Sequence, residues 1–212
     1  MASVKITELS SSGPLTGSEV LPIVQGNQTV KTTVQEIGSF TRPYKVYTAL
    51  LTQTGGSNPI TKTSGNLTIG VTYFIVNDGG DSWDFTNVGA PNNDIETFFV
   101  ATGTTPNSWG NDGALEYNEG TPIVEVLENT IGNIWFTYVD VGVYNIKSNG
   151  LFIDNKTFVN ISQTVQNIGD TSSQSVGYVS PDSTIDTLII QTQGAGQDGI
   201  ANNTPIEIRV YN

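Results

Sequence analysis

Residues 44–52, YKVYTALLT, set Val46, Thr48 and Leu50 in alternation with Tyr47, Ala49 and Leu51, and this period of two predicts a strand. The same period returns at the far end of the chain. There Ile206, Ile208 and Val210 alternate with Glu207, Arg209 and Tyr211. Between these two stretches, Ile123, Val124, Val126 and Leu127 form an apolar run broken by Glu125, a further strand. NTIGN, VNDGGD and GNDG supply Gly and Asn wherever a turn needs positive φ. Near the start, VLPIVQ (20–25) and the run from Gln28 to Thr32 flank Gly26-Asn27, a small hairpin on a tight-turn pair. Thr33 stands three residues before Glu36, the spacing of a capping box, so TVQEIGSF is expected to open one or two helical turns that Gly38 ends, with Pro43 closing the segment.

Composition sharpens this into a fold class. Only 13% of the 212 residues are charged, Gly numbers 23, and the Ala/Glu/Lys/Leu background of long helices is missing. The expectation is an all-β protein, with length enough for one large domain or two small ones plus an extension. The absence of Cys and His closes thiol nucleophiles, soft-metal sites and every triad that needs an imidazole base. MASVKITELSSS lacks the apolar core of a signal peptide, so the chain is expected to be made soluble in the cytosol, and Asn-x-Ser/Thr matches such as those at Asn27, Asn66, Asn155 and Asn160 are read as products of composition.

Charge divides the chain. In residues 1–42, Lys5, Lys31 and Arg42 balance Glu8, Glu19 and Glu36, so the whole net charge of −12 lies in the remainder. An acidic body without a basic cluster disfavours nucleic acid and anionic lipid as partners. The neutral segment carries more apolar surface than water tolerates and less than a core of its own requires, so it calls for a partner, either the rest of its own chain or another protein.

KITEL followed by LTGSEVLPIVQGNQTVKTTVQEI resembles the N-terminal segment of many tailed-bacteriophage appendage proteins, where it forms the virion-proximal end of fibres. The resemblance implies a virion-anchoring segment over 1–42 that uses Leu15, Val20, Leu21, Pro22, Ile23, Val24, Val30, Val34 and Ile37 against the major capsid protein or another virion structural protein. Farther on, YKVYTALLTQTG (44–55) and TPIVEVLENTIGNIWFTYVDVGVYNI (121–146) resemble two halves of one small β module of phage and bacterial surface proteins. The module continues through NKTFVNI and ends on TPIEIRVYN. LTIGVTYFIV, DFTNVGAP and FFVATGTTPNSW, lying between the halves, resemble a second module family. The expected organisation is an anchor (1–42), a split β-sandwich or jelly-roll-like domain (43–56 and 120–212) and an inserted small β module (57–119).

Candidate chemistry is sparse. Asp78, Asp81 and Asp84 in NDGGDSWDF form an oxygen-rich loop, open to Ca²⁺ binding or to service as a solvated turn. The related module has a shorter turn here. Glu125, Glu128 and Asp140 are the carboxylates a glycan hydrolase would need, but Glu125 falls on the polar face of a strand and LENT reads as a turn carrying Glu128. Among the aromatics available for a sugar-stacking platform, Tyr73, Trp83, Phe85, Trp109, Tyr117 and Trp135, the last reads as core; Trp83 and Trp109, flanked by Gly and Asp/Asn, are the candidates for exposure and glycan contact.

These readings combine into a non-enzymatic phage structural protein without cofactor or metal, located in the virion after synthesis in the host cytoplasm. A capsid-attached head fibre or decoration protein is preferred, with a tail-associated receptor-binding or adaptor protein touching host surface glycan as alternative and a glycan depolymerase as the enzyme alternative. A homotrimer is expected, with neither nucleic acid nor membrane as partner.

Overall fold

The computed structural model describes residues 16, 18–40, 42–78, 83–111, 113–161, 175–179, 187–193 and 201–211. The chain forms two compact units, Met1–Pro43 and Tyr44–Asn212.

In the first unit, β1 (Val20–Gln25) and β2 (Gln28–Thr33) pair antiparallel from Val20↔Thr33 to Gln25↔Gln28. Gly26 (φ 58) and Asn27 (φ 60) both take the left-handed conformation, as a type I′ turn requires. This turn matches strand twist and sets the register. The helix α1 (Val34–Phe40) follows without a break. Its capping box is formed: the Glu36 N–H donates to Thr33 Oγ1 (3.1 Å), and Glu36 Oε2 accepts from the Thr33 N–H (2.7 Å) and the Thr32 hydroxyl (2.8 Å). These donors, the Thr33 N–H first, hold the Glu36 carboxyl below its usual range. The expected stop at Gly38 is not seen, and the helix runs on to Phe40. Glycine inside a helix costs about 1 kcal/mol, which weakens a helix without ending it.

In the second unit, β3 (Tyr44–Thr52) is flanked on one side by β10 (Ile123–Asn129) and on the other by β16 (Thr204–Tyr211), beyond which lies β13 (Thr157–Ile161). A second four-stranded antiparallel sheet has the order β11 (Ile134–Asp140), β12 (Val143–Ser148), β15 (Thr187–Gln193), β14 (Ser175–Val179). The two sheets share one core. Tyr47, Ala49, Leu51, Ile206, Ile208 and Val210 from the first meet Phe136, Tyr144, Ile146, Leu188 and Ile190 from the second. This is a sandwich-like arrangement, and jelly-roll connectivity is not established by the pairing. Fully burying such a side chain is worth about 1.5–3 kcal/mol. On the outer face the Arg209 guanidinium bonds Glu207 (2.7 Å) and lies 4.9 Å from the Tyr44 ring centre and 5.8 Å from that of Phe158, joining three strands.

Thr52 and Ile123 stand opposite each other in the β3–β10 ladder, so the chain between them leaves and returns at one point. That excursion builds its own sheet in the order β4 (Pro59–Lys62), β9 (Gly113–Asn118), β5 (Thr72–Asp78), β7 (Phe98–Val100). A two-strand ribbon joins β6 (Trp83–Asp84) to β8 (Ser108–Trp109). Leu67, Tyr73, Ile75, Phe85, Val88, Phe99 and Leu115 form its core. The excursion is tied to the sandwich at several points. The Val124 N–H donates to the Gly70 carbonyl (2.9 Å), the Phe136 N–H to Thr72 Oγ1 (3.3 Å) and Asn133 Nδ2 to the Phe98 carbonyl (2.9 Å). Val100 belongs to the sandwich core itself.

LENT is not the turn read from the sequence. Leu127, Glu128 and Asn129 lie in β10, where a bulge between Val126 and Glu128 absorbs the extra residue. The chain turns just after it, where Asn129 Oδ1 accepts from the N–H groups of Ile131 and Gly132.

Candidate functional site: hairpin, tryptophan pair and aromatic cleft

Three places carry the residues singled out by sequence. In the first unit, Val20 (57% exposed), Leu21 (42%), Val24 (75%) and Ile37 (40%) are apolar and open to solvent. Pro22 is exposed, while Ile23, Val30 and Val34 are half-buried, Ile23 and Val30 as a direct cross-strand pair. Alternation puts Val20, Pro22 and Val24 on one face of the hairpin and Leu21 and Ile23 on the other. Both faces therefore present apolar surface. Leu15 lies outside the described residues.

Trp83 and Trp109 are brought into direct register on the insert. Each is half-buried rather than exposed, packed on the fully buried Phe85 with ring centres 5.9 and 5.2 Å away. Their indole N–H groups donate to backbone carbonyls, Trp83 to that of Asn93 and Trp109 to that of Gly65, both at 3.1 Å. With those polar handles engaged, the pair offers a ligand ring surface alone. Tyr73 and Phe85 are core, Trp135 is core as expected, and Tyr117 is half-buried.

Asp84 serves its own loop. Oδ1 accepts from the Thr86 hydroxyl (2.6 Å) and N–H (2.9 Å), and Oδ2 from Asn107 Nδ2 (2.8 Å). The Thr86 hydroxyl, then Asn107 and the Thr86 N–H, hold its carboxyl well below the usual range. Asp81 and the Asp78 side chain lie outside the described residues. Among the described residues no group of three Asp or Glu is placed to hold a metal ion, and no helix is long and apolar enough to cross a membrane. Glu125 and Glu128 face Leu50 and Thr48 across β10 and β3, whereas Asp140 belongs to the other sheet, where Oδ1 accepts from the Val141 N–H (2.8 Å). The sheet pairing keeps Glu125 and Glu128 on one strand and assigns Asp140 to the other sheet.

A cleft in the second unit was not anticipated. A cleft of about 170 Å³ lies between the insert sheet and β11, lined by residues that include Phe74, Phe98, Glu116, Tyr117, Thr137 and Tyr138. Register explains it. Thr61, Glu116, Phe74 and Phe98 form one row across all four insert strands, because each is the direct partner of the next. Phe74 stacks on Phe98 (4.3 Å, 28°), and Phe98 stacks on Trp135 (5.6 Å, 8°), so three rings run from the sandwich toward Glu116. Tyr138 forms the other wall, its ring lying over Gly120, where a Cβ would meet it at 2.5 Å. Several polar neighbours are engaged by the fold: Asn118 donates to the Ser57 carbonyl and accepts from the Gly120 N–H, and Thr72 accepts from Phe136. Glu116 accepts only a long bond from Thr61 (3.4 Å) and has no ion-pair partner among the described residues. The alternation of TYFIV and LEYN held a signal for Phe74 and Glu116, but their adjacency comes from pairing between strands some 40 residues apart. Comparison of the chain with protein-family models, with curated proteins and with solved structures finds no match.

Proposed function

We propose that this protein is a non-enzymatic structural component of a tailed-phage virion, a capsid-attached head fibre or decoration protein that is fastened through residues 1–42 and projects its acidic β body outward. The observation that carries the reading is the dense resemblance of residues 5–37 to the virion-proximal segment of phage appendage proteins. Two features support it. The segment is a compact unit of its own with apolar residues exposed on both hairpin faces, and it is charge-neutral beside a body holding the entire −12. Hairpins of two strands are marginal alone and gain stability against a partner surface. The proposed partner is the major capsid protein or another virion structural protein, and the proposed assembly is a homotrimer. A second reading, a tail-associated receptor-binding or adaptor protein, is favoured by the ring surface that Trp83 and Trp109 leave half-exposed on the insert.

Deletion of residues 1–42 tests the anchor. The truncated chain is expected to remain a folded β protein by circular dichroism and to vanish from purified virions by mass spectrometry. Wild-type copy number in particles carrying only the truncated chain would refute the assignment.

A further inference from the structure

We infer that the cleft between the insert sheet and β11 is a binding site for an organic ammonium group, the head of a choline-like molecule or of a lysine side chain. This goes beyond the structural role proposed above and stands independently of it. The walls include the rings of Phe74, Phe98 and Tyr138, and contain the carboxylate Glu116 and no Lys or Arg. Phe74 ends the three-ring stack on the side where the row continues to Glu116, so a cation at that junction meets a ring and a carboxylate together. Aromatic rings attract cations through the negative charge of their faces, and a nearby carboxylate adds a direct Coulomb term.

Other occupants fit less well. An anionic ligand meets a carboxylate, no cationic side chain and a chain of net charge −12. A neutral sugar needs paired, directional donors and acceptors, and two of the polar side chains in the lining, Asn118 and Thr72, are already bonded within the fold. The volume, about 170 Å³, lies below the range of drug-sized ligands and suits a small headgroup.

The test uses the full-length protein and ligand-observed NMR. Choline chloride and N-acetyl-lysine amide are the ammonium probes, 3,3-dimethylbutan-1-ol is the uncharged isostere of choline, and methyl β-glucoside is the sugar probe. At least one ammonium probe is expected to bind, with whichever binds better distinguishing a quaternary from a primary source. Binding should be at least tenfold weaker for Glu116→Gln, unchanged for the exposed Glu125→Gln, and reduced by added NaCl because an open site is screened. The isostere and the glucoside should bind at least tenfold more weakly than the better ammonium probe. Binding of the isostere as tight as that of the better ammonium probe, preference for the glucoside, no binding of either ammonium probe, or full binding by a folded Glu116→Gln variant would each overturn the proposal. Should that variant not fold, the comparison of the better ammonium probe with the uncharged isostere on the native chain decides.

Discussion

Tyr47 is 1% exposed, and its hydroxyl has no hydrogen-bond partner among the described residues. Burial pushes its phenol far above the ordinary range, so the group stays neutral while the protein is folded. A buried, unbonded hydroxyl costs about 1–3 kcal/mol, and Tyr47→Phe removes it while keeping the ring. The expected result is a gain of about 1 kcal/mol in unfolding free energy, measured by urea titration; a loss would show that the hydroxyl is satisfied in solution. Gly120 poses the opposite constraint. A Cβ there would run into the Gly56 carbonyl and into the Tyr138 ring. Gly120→Ala is therefore expected to cost about 1–3 kcal/mol, the range for overpacking, and to shift the Tyr138 ring resonances in NMR spectra. Wild-type stability together with unmoved Tyr138 signals would argue against that close approach. Neither residue announces its constraint in the sequence, because each depends on atoms brought near from distant positions.

At the scale of elements, local signals were dependable where the chemistry is local. The Gly26-Asn27 turn and the reciprocal bonds of Thr33 and Glu36 follow from residues at most three apart. The extent of α1 past Gly38 and the bulge in β10 were missed because a helix tolerates one glycine and a strand tolerates one extra residue. The insert raises the sharper question of independence. Its ends are already together: Thr52 faces Ile123, and Pro59 pairs with Asn118. A chain lacking residues 57–119, rejoined through a short Gly-containing turn, is expected to unfold cooperatively. It should be about 3–5 kcal/mol less stable, since Trp135 loses the Phe98 ring and Phe136 the Thr72 bond, a loss comparable to truncating one large core side chain. Aggregation without a cooperative thermal transition would mean that insert and sandwich cannot be separated.

For the whole molecule, the proposed homotrimer has a physical motive in the sheet edges. β10 and β13 are the outer strands of the first sandwich sheet, and β11 is an outer strand of the second. Val126 (42%), Leu127 (59%), Phe158 (50%) and Val139 (52%) lie exposed on them. Outer strands with apolar side chains are sites of association unless covered. Three copies closing about a threefold axis would cover such edges and let three weak anchors act together. Sedimentation velocity and native mass spectrometry of the full-length protein are expected to give three times the 22.6 kDa chain mass. A monomer in both would refute the trimer.

The sequence by itself determined the all-β class, the alternation in β3 and β16, the hairpin with its turn and helix cap, and the division of charge at the end of the first segment. All of these rest on neighbours in the chain or on composition, where backbone preference and side-chain period act directly. Only the tertiary structure decided that Glu116 lies beside Phe74, that Trp83 and Trp109 engage their N–H groups with the Asn93 and Gly65 carbonyls, and that Val100 of the insert enters the sandwich core. Those relations depend on strand register across long separations. A shift of one residue would turn every side chain of a strand to its other face, so the partner strand and the core it closes select among patterns that local preference leaves equivalent.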